Sequence, residues 1–193
     1  MWSQIKGGLG TVPALFGTAF SRAKAALTSR LCVSSEGSMP SLHGATAWLN
    51  SDPLTTAQLR GKVVLVQIWS YTCIEWLRTA PYVSAWSDRY GAQGLVVIGV
   101  HTPESSFEHD VENVRRAVQG LGLRYPIAID NHYTVSEGFK NRYTPTLYFV
   151  DAKGRIRRRY EGEGEYGESE RFIGKLLRET GAGILPRELA PPA

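Results

Sequence analysis

The sequence predicts an α/β domain: a central mixed β-sheet with helices on both faces. Three observations predict it. Two apolar runs, Val63–Trp69 and Leu95–Val100, read as strands buried on both faces. Each is followed by apolar residues at three- and four-residue spacing, the pattern of a helix with one buried face. The chain then changes character, with two short strand patterns joined by Asp151-Ala152-Lys153-Gly154, a strong turn signal, and one last amphipathic helix. Alternating strands and helices imply parallel pairing through right-handed crossovers, and the hairpin adds antiparallel strands.

Residues 1–39 read as an N-terminal extension. Leu9–Phe20 is moderately apolar, but Gly10, Pro13 and Gly17 interrupt it, and it is too short to span a membrane. With Lys6 before it and Ala23-Lys24-Ala25 after it, the stretch reads either as a degenerate export signal or as a loosely ordered extension, partly helical around Phe16–Leu27. A periplasmic or cell-envelope setting is expected on the first reading, and a cytoplasmic one is the alternative. Val33–Ser41, rich in Ser, Gly and Pro, reads as a linker.

The domain spans residues 40–184. Ala45–Asn50 is expected to be a short strand, and Thr55–Leu59 a helical turn ended by Gly61. After the strand that opens at Val63, the first helix places Trp76, Ala80, Val83, Trp86 and Tyr90 on one face, and Gly91 and Gly94 stop it. Phe107–Gly120 reads as a second helix with Val111, Val114 and Val118 inward. Tyr125–Asp130 is a third strand and Val135–Asn141 a short helix. Thr146–Asp151 and Ile156–Glu161 form the hairpin. Ser169–Thr180 closes the domain with Phe172, Ile173, Leu176 and Leu177 inward. Residues 185–193 are expected to fray.

A chain of 193 residues with 42% hydrophobic content has room for one full core plus an extension. The net charge of +4 is mild and the basic residues are scattered, so no nucleic-acid partner is expected. Two cysteines, Cys32 and Cys73, exclude a disulfide scaffold and a cysteine-based zinc site. His101, His109 and His132 fall in separate segments without a helical pair, so neither metal nor cofactor is expected. His101 reads as a hydrogen-bonded loop histidine. Arg155, Arg157, Arg158 and Arg159 are expected to blunt an exposed strand edge. The sequence leaves the oligomeric state open.

Cys73 carries the candidate chemistry. It follows the break Ser70-Tyr71-Thr72 between a buried strand and a helix, where free backbone N–H groups favour a thiolate. Glu75, two residues on, favours the neutral thiol. The competing reading is a buried structural cysteine. Trp76 reads either as an apolar wall beside the sulfur or as the start of the helix's buried face. Cys32 reads either as a second thiol reaching over on the linker or as an incidental one.

These residues resemble the thioredoxin superfamily. Trp69 lies four residues before Cys73 and Pro81 eight after it, and Tyr143-Thr144-Pro145-Thr146 is similar to the cis-proline loop that faces the active cysteine there. The stretches G-L-V-V-I-G-V-H-T-P-E, Y-P-I-A-I-D-N and Y-F-V-D-A-K-G-R are similar to the redoxin-like, TlpA-like thiol:disulfide interchange group. The resemblance covers Pro40 to Gly181. It implies a thioredoxin-like fold with one extra strand–helix unit, thiol-disulfide exchange at Cys73, and protein or small-molecule thiols and disulfides as partners. Substrate contacts are expected at Trp69, Trp76, Thr144 and Pro145, and the resemblance implies that the Thr144 backbone is open to an extended peptide.

Two positions depart from that pattern. Trp76 stands where the family has its second cysteine, and Gln67 where it often has a buried carboxylate. The related peroxiredoxins have a proline seven residues before the cysteine and Thr or Ser three before; here those places hold Val66 and Ser70. Three readings follow: a single-cysteine oxidoreductase, a one-cysteine peroxidase, and a redox-inactive module that holds an extended peptide.

Overall fold

The structure, a computed structural model, describes residues 37–183. The expectations placed on residues 1–36 and 184–193, Cys32 among them, lie outside the described residues. The elements in order are β1 (Gly37–Ser38), β2 (Ala47–Leu49), β3 (Val63–Trp69), α1 (Ile74–Tyr90), β4 (Leu95–His101), α2 (Val111–Gly120), β5 (Ile127–Ile129), α3 (Thr134–Gly138), β6 (Thr146–Val150), β7 (Arg155–Glu161) and α4 (Tyr166–Glu179).

The sheet runs β1-β7-β6-β3-β4-β5-β2. β3 lies at its centre, parallel to β4 and antiparallel to β6. All seven residues of β3 are buried, because the sheet is covered on both faces. The period of two sorts its side chains. Val63, Leu65 and Trp69 join a core with Trp76, Val83 and Trp86 of α1 and Ile173 and Leu177 of α4. Val64, Val66 and Ile68 join the opposite core with Val100, Val135 and Tyr148. The predicted mixed sheet with helices on both faces is the observed architecture, and the hairpin turns at Asp151–Gly154, with Gly154 at positive φ.

Two local expectations need correction. The segment read as a linker is ordered in its described part: Gly37 and Ser38 pair with Ile156 and Arg155, and Met39 N–H donates to the Gly154 carbonyl at 2.8 Å. The second helix begins at Val111 rather than Phe107. Ser106–His109 forms a separate 3₁₀ turn, then Asp110 adopts extended backbone and its carboxylate accepts from Glu112 N–H, the geometry of an N-cap. The arginine run lies on β7, whose outer side is paired among the described residues only by the two residues of β1, in keeping with the expected edge, and it is also held in ion pairs. Arg155 and Arg157 reach Asp151 at 2.7 and 3.2 Å, Arg157 also reaches Glu179 at 2.9 Å, Arg159 reaches Glu161 at 3.3 Å, and Arg158 pairs with Glu168. Burial alone would raise the Asp151 pKa, but hydrogen bonds from Arg155 and Arg157 outweigh it and hold the carboxyl below the usual range.

One glycine makes room for Trp69. A Cβ at Gly99 would lie 2.7 Å from Trp69 Nε1 and 3.1 Å from Tyr125. Only a residue without a side chain lets the Trp69 indole lie across β4.

Candidate active site

The strand-to-helix turn delivers Cys73 to the surface. Cys73 is the N-cap of α1, with φ −71° and ψ 116°. Its N–H donates to the Ser70 carbonyl at 3.2 Å, which closes the turn, and its own carbonyl accepts from Leu77 N–H at 3.0 Å, which opens the helix. The sulfur is half-buried and lies 3.8 Å from the Thr144 carbonyl oxygen. The Thr144–Pro145 peptide is cis, and Pro145 is buried beneath the loop. The structure therefore brings the Cys73 sulfur to the Thr144 carbonyl, at the cis bond that precedes Pro145.

Ile74 follows Cys73 and Tyr143 precedes Thr144 in sequence, and Phe107 packs near Tyr71, with ring centroids 6.2 Å apart. Ile74, Phe107 and Tyr143 are exposed, at 59%, 53% and 38%. The Tyr143 hydroxyl donates to the Glu75 carboxylate at 3.2 and 3.3 Å, tying the first turn of α1 to the loop that carries Thr144.

Trp69 and Trp76 are placed differently from the expectation. Both are wholly buried, stacked with ring centroids 4.1 Å apart. Neither offers surface to a substrate; they belong to the buried core against which Cys73 packs. Trp76 Nε1–H donates inward to Gln67 Oε1 at 3.2 Å. Of the two readings of Trp76, the buried face of the helix is the one observed.

His101 and Glu108 are buried too. His101 ends β4 and is fully buried, stacked on Tyr71 at 5.5 Å and edge-on to Trp69 at 4.9 Å. It is not the hydrogen-bonded loop histidine expected: among the described residues neither ring nitrogen has a hydrogen-bond partner. Burial lowers its pKa to about 4, against a smaller upward pull from Glu108, so the ring is neutral at pH 7.

Glu108, which the sequence reading did not single out, is buried in the 3₁₀ turn. Its carboxylate accepts from Ser70 Oγ at 2.8 and 2.9 Å and from Glu104 N–H at 2.8 Å, and also from the Thr72 hydroxyl. Burial raises its pKa, but the hydrogen bonds from Thr72, Glu104 N–H and Ser70 bring the net shift downward. The available signal was the pair of hydroxyls at Ser70 and Thr72, flanking Tyr71 without an assigned acceptor.

Among the described residues no helix is long and apolar enough to cross a membrane. Over residues 35–172 the chain matches the Redoxin family. It is 43% identical over 151 residues to Protein DipZ of Mycobacterium tuberculosis, covering 77% of this chain and 22% of that protein. The chain thus spans about a fifth of the length of that relative. It is 32% identical over 143 residues to thiol-disulfide oxidoreductase YkuV of Bacillus subtilis, covering 74% of this chain and 95% of that one. The solution structure of a thioredoxin-like protein in the oxidized form matches with a TM-score of 0.68 at 30% identity, over 75% of this chain and 97% of that chain. With the sheet order, the half-buried cysteine beside Thr144 and these relatives together, the chain belongs to the Redoxin family, among the thioredoxin-like thiol-disulfide oxidoreductases.

Proposed function

We propose that the protein exchanges disulfides through Cys73 alone. The Cys73 thiolate attacks one sulfur of a disulfide, that S–S bond breaks, a thiolate leaves, and a mixed disulfide remains on Cys73. An external thiolate then attacks the mixed disulfide, carries the substrate sulfur away and returns Cys73 to its starting state.

The observation that carries this reading is the direction of Trp76. By spacing it stands at the place of a second cysteine, and its indole is turned inward, with its N–H on Gln67. Cys73 is the one cysteine among the described residues, and its sulfur faces the Thr144 carbonyl. Thr144 and the exposed Ile74, Phe107 and Tyr143 supply the contacts for an incoming protein or small-molecule disulfide. Trp69 and Trp76 act from below.

A peroxidase reading has less support, because the Ser70 hydroxyl is donated to Glu108 rather than held free for a peroxide. The setting proposed is the periplasm or cell envelope, with the cytoplasm as the alternative; a reporter fusion after residue 39 separates them. Mass spectrometry after glutathione disulfide and after mild peroxide tests the chemistry. A glutathione adduct on Cys73 is expected. Sulfenic or sulfinic acid on Cys73 with no glutathione adduct would indicate a peroxidase, and an unmodified Cys73 in both would indicate a binding module.

A further inference from the structure

Glu108 is a buried carboxylate that the exchange chemistry above does not use. Burying such a group is costly unless it is well bonded. No lysine or arginine among the described residues forms an ion pair with it. The neutral His101 ring lies 3.9 Å from its carboxylate, too far for a hydrogen bond. Its donors are Ser70 Oγ, Thr72 Oγ1 and the N–H of Glu104 in its own loop. Both hydroxyls belong to the turn that carries Cys73, and Cys73 N–H donates to the carbonyl of that same Ser70. The two hydroxyls are also within 3.2 Å of each other. One carboxylate therefore ties the Ser70–Cys73 turn to the loop that follows β4, across 36 and 38 residues of sequence.

We propose that Glu108 is a positioning residue for Cys73. It fixes the turn so that the sulfur faces the Thr144 carbonyl on the line an incoming disulfide must take. The proposal rests on disulfide exchange at Cys73 and adds a residue that acts on its geometry. Exchange requires the attacking, central and leaving sulfurs to be nearly in line, so a small rotation of the turn is felt strongly. Alkylation by iodoacetamide also needs the thiolate but approaches from any open side. The ratio of the two rates cancels the thiolate fraction and reports position.

The test measures both rates at pH 7.5 on the full chain, with iodoacetamide and with 2-hydroxyethyl disulfide as neutral probes. Peptide mass spectrometry restricts the readout to Cys73. Glu108→Gln keeps the shape but turns an amide donor toward the two hydroxyls. Thr72→Val removes one donor at an exposed residue, where loss of folding is a small risk. The exchange-to-alkylation ratio is expected to fall about fivefold or more in Glu108→Gln, and about two- to threefold in Thr72→Val. If Glu108→Gln fails to fold by circular dichroism, Thr72→Val decides. A folded Glu108→Gln protein with the ratio within about twofold of wild type overturns the positioning role and leaves exchange at Cys73 standing. A wild-type Cys73 that is alkylated but never forms the mixed disulfide overturns the exchange reading itself.

Discussion

Trp76 donates its indole N–H to Gln67 across 3.2 Å, with neither side chain exposed to solvent. The two positions that depart from the thioredoxin pattern are thus partners in the fold. Gln67 offers an acceptor without the cost of a buried ionised group, and Trp76 fills the space beneath the cysteine turn.

Gln67→Glu should destabilise the fold by about 1–3 kcal/mol near pH 7, the range for a buried polar group left poorly satisfied. Reactivity of Cys73 toward small disulfides should stay nearly unchanged. Denaturant melts and a thiol-reaction rate on the same variant check both. Unchanged stability would show that water reaches residue 67.

Reduction of insulin with dithiothreitol should run far below the rate of a two-cysteine thioredoxin, because no thiol at position 76 expels the substrate. Trp76→Cys should raise that rate. It should also cost about 3–5 kcal/mol, since it empties a stacked, fully buried indole site. A folded variant with no gain in turnover would mean that geometry, not the missing sulfur, limits the chemistry.

His101 gives an acid-side prediction. Its folded pKa of about 4 lies below the ordinary 6.5, so between those values the unfolded chain binds the proton and the folded chain does not. Stability should therefore be lost as pH falls from about 6.5 to 4, by about 3 kcal/mol at most. Glu108, whose pKa is lowered, adds a further loss below the ordinary carboxyl range. His101→Phe, which suits the ring stack with Tyr71, should flatten the first window and leave the second. Urea midpoints at pH 7 and pH 5 read the difference; an equal slope in both proteins would contradict the buried neutral ring.

Gly99→Ala should cost about 1–3 kcal/mol, because the new Cβ meets the Trp69 indole within 2.7 Å. The shift of that ring should appear as a changed tryptophan fluorescence. A variant as stable as wild type would show that Trp69 has room to move.

Much of the fold was legible because it rests on local pattern. The valine-rich run at Val63 and the spacing of Trp76, Val83 and Trp86 each name their element without help from distant residues. The missed features depend on partners far along the chain. Gly37–Ser38 is too short to show a strand period and pairs with Arg155 and Ile156 of the hairpin. Asp110 interrupts what looks like one helix because its side chain caps the second part. Within the site, Cys73 and Thr144-Pro145 were found from motif spacing. Glu108 was not, because a glutamate near a helix start reads as solvated until its hydroxyl donors at Ser70 and Thr72 are seen. The inward turn of Trp69 and Trp76 follows from Gly99 and Gln67 on neighbouring strand positions, a register that the sequence does not display.

The most direct measurement of single-cysteine exchange is the release of a mixed disulfide from Cys73. The full chain is loaded with glutathione, freed of small thiols, and followed by mass spectrometry at several concentrations of added dithiothreitol. The predicted release rate rises linearly with the added thiol and extrapolates to zero without it. Release that continues at zero added thiol, with a Cys32–Cys73 disulfide appearing in its place, would contradict it.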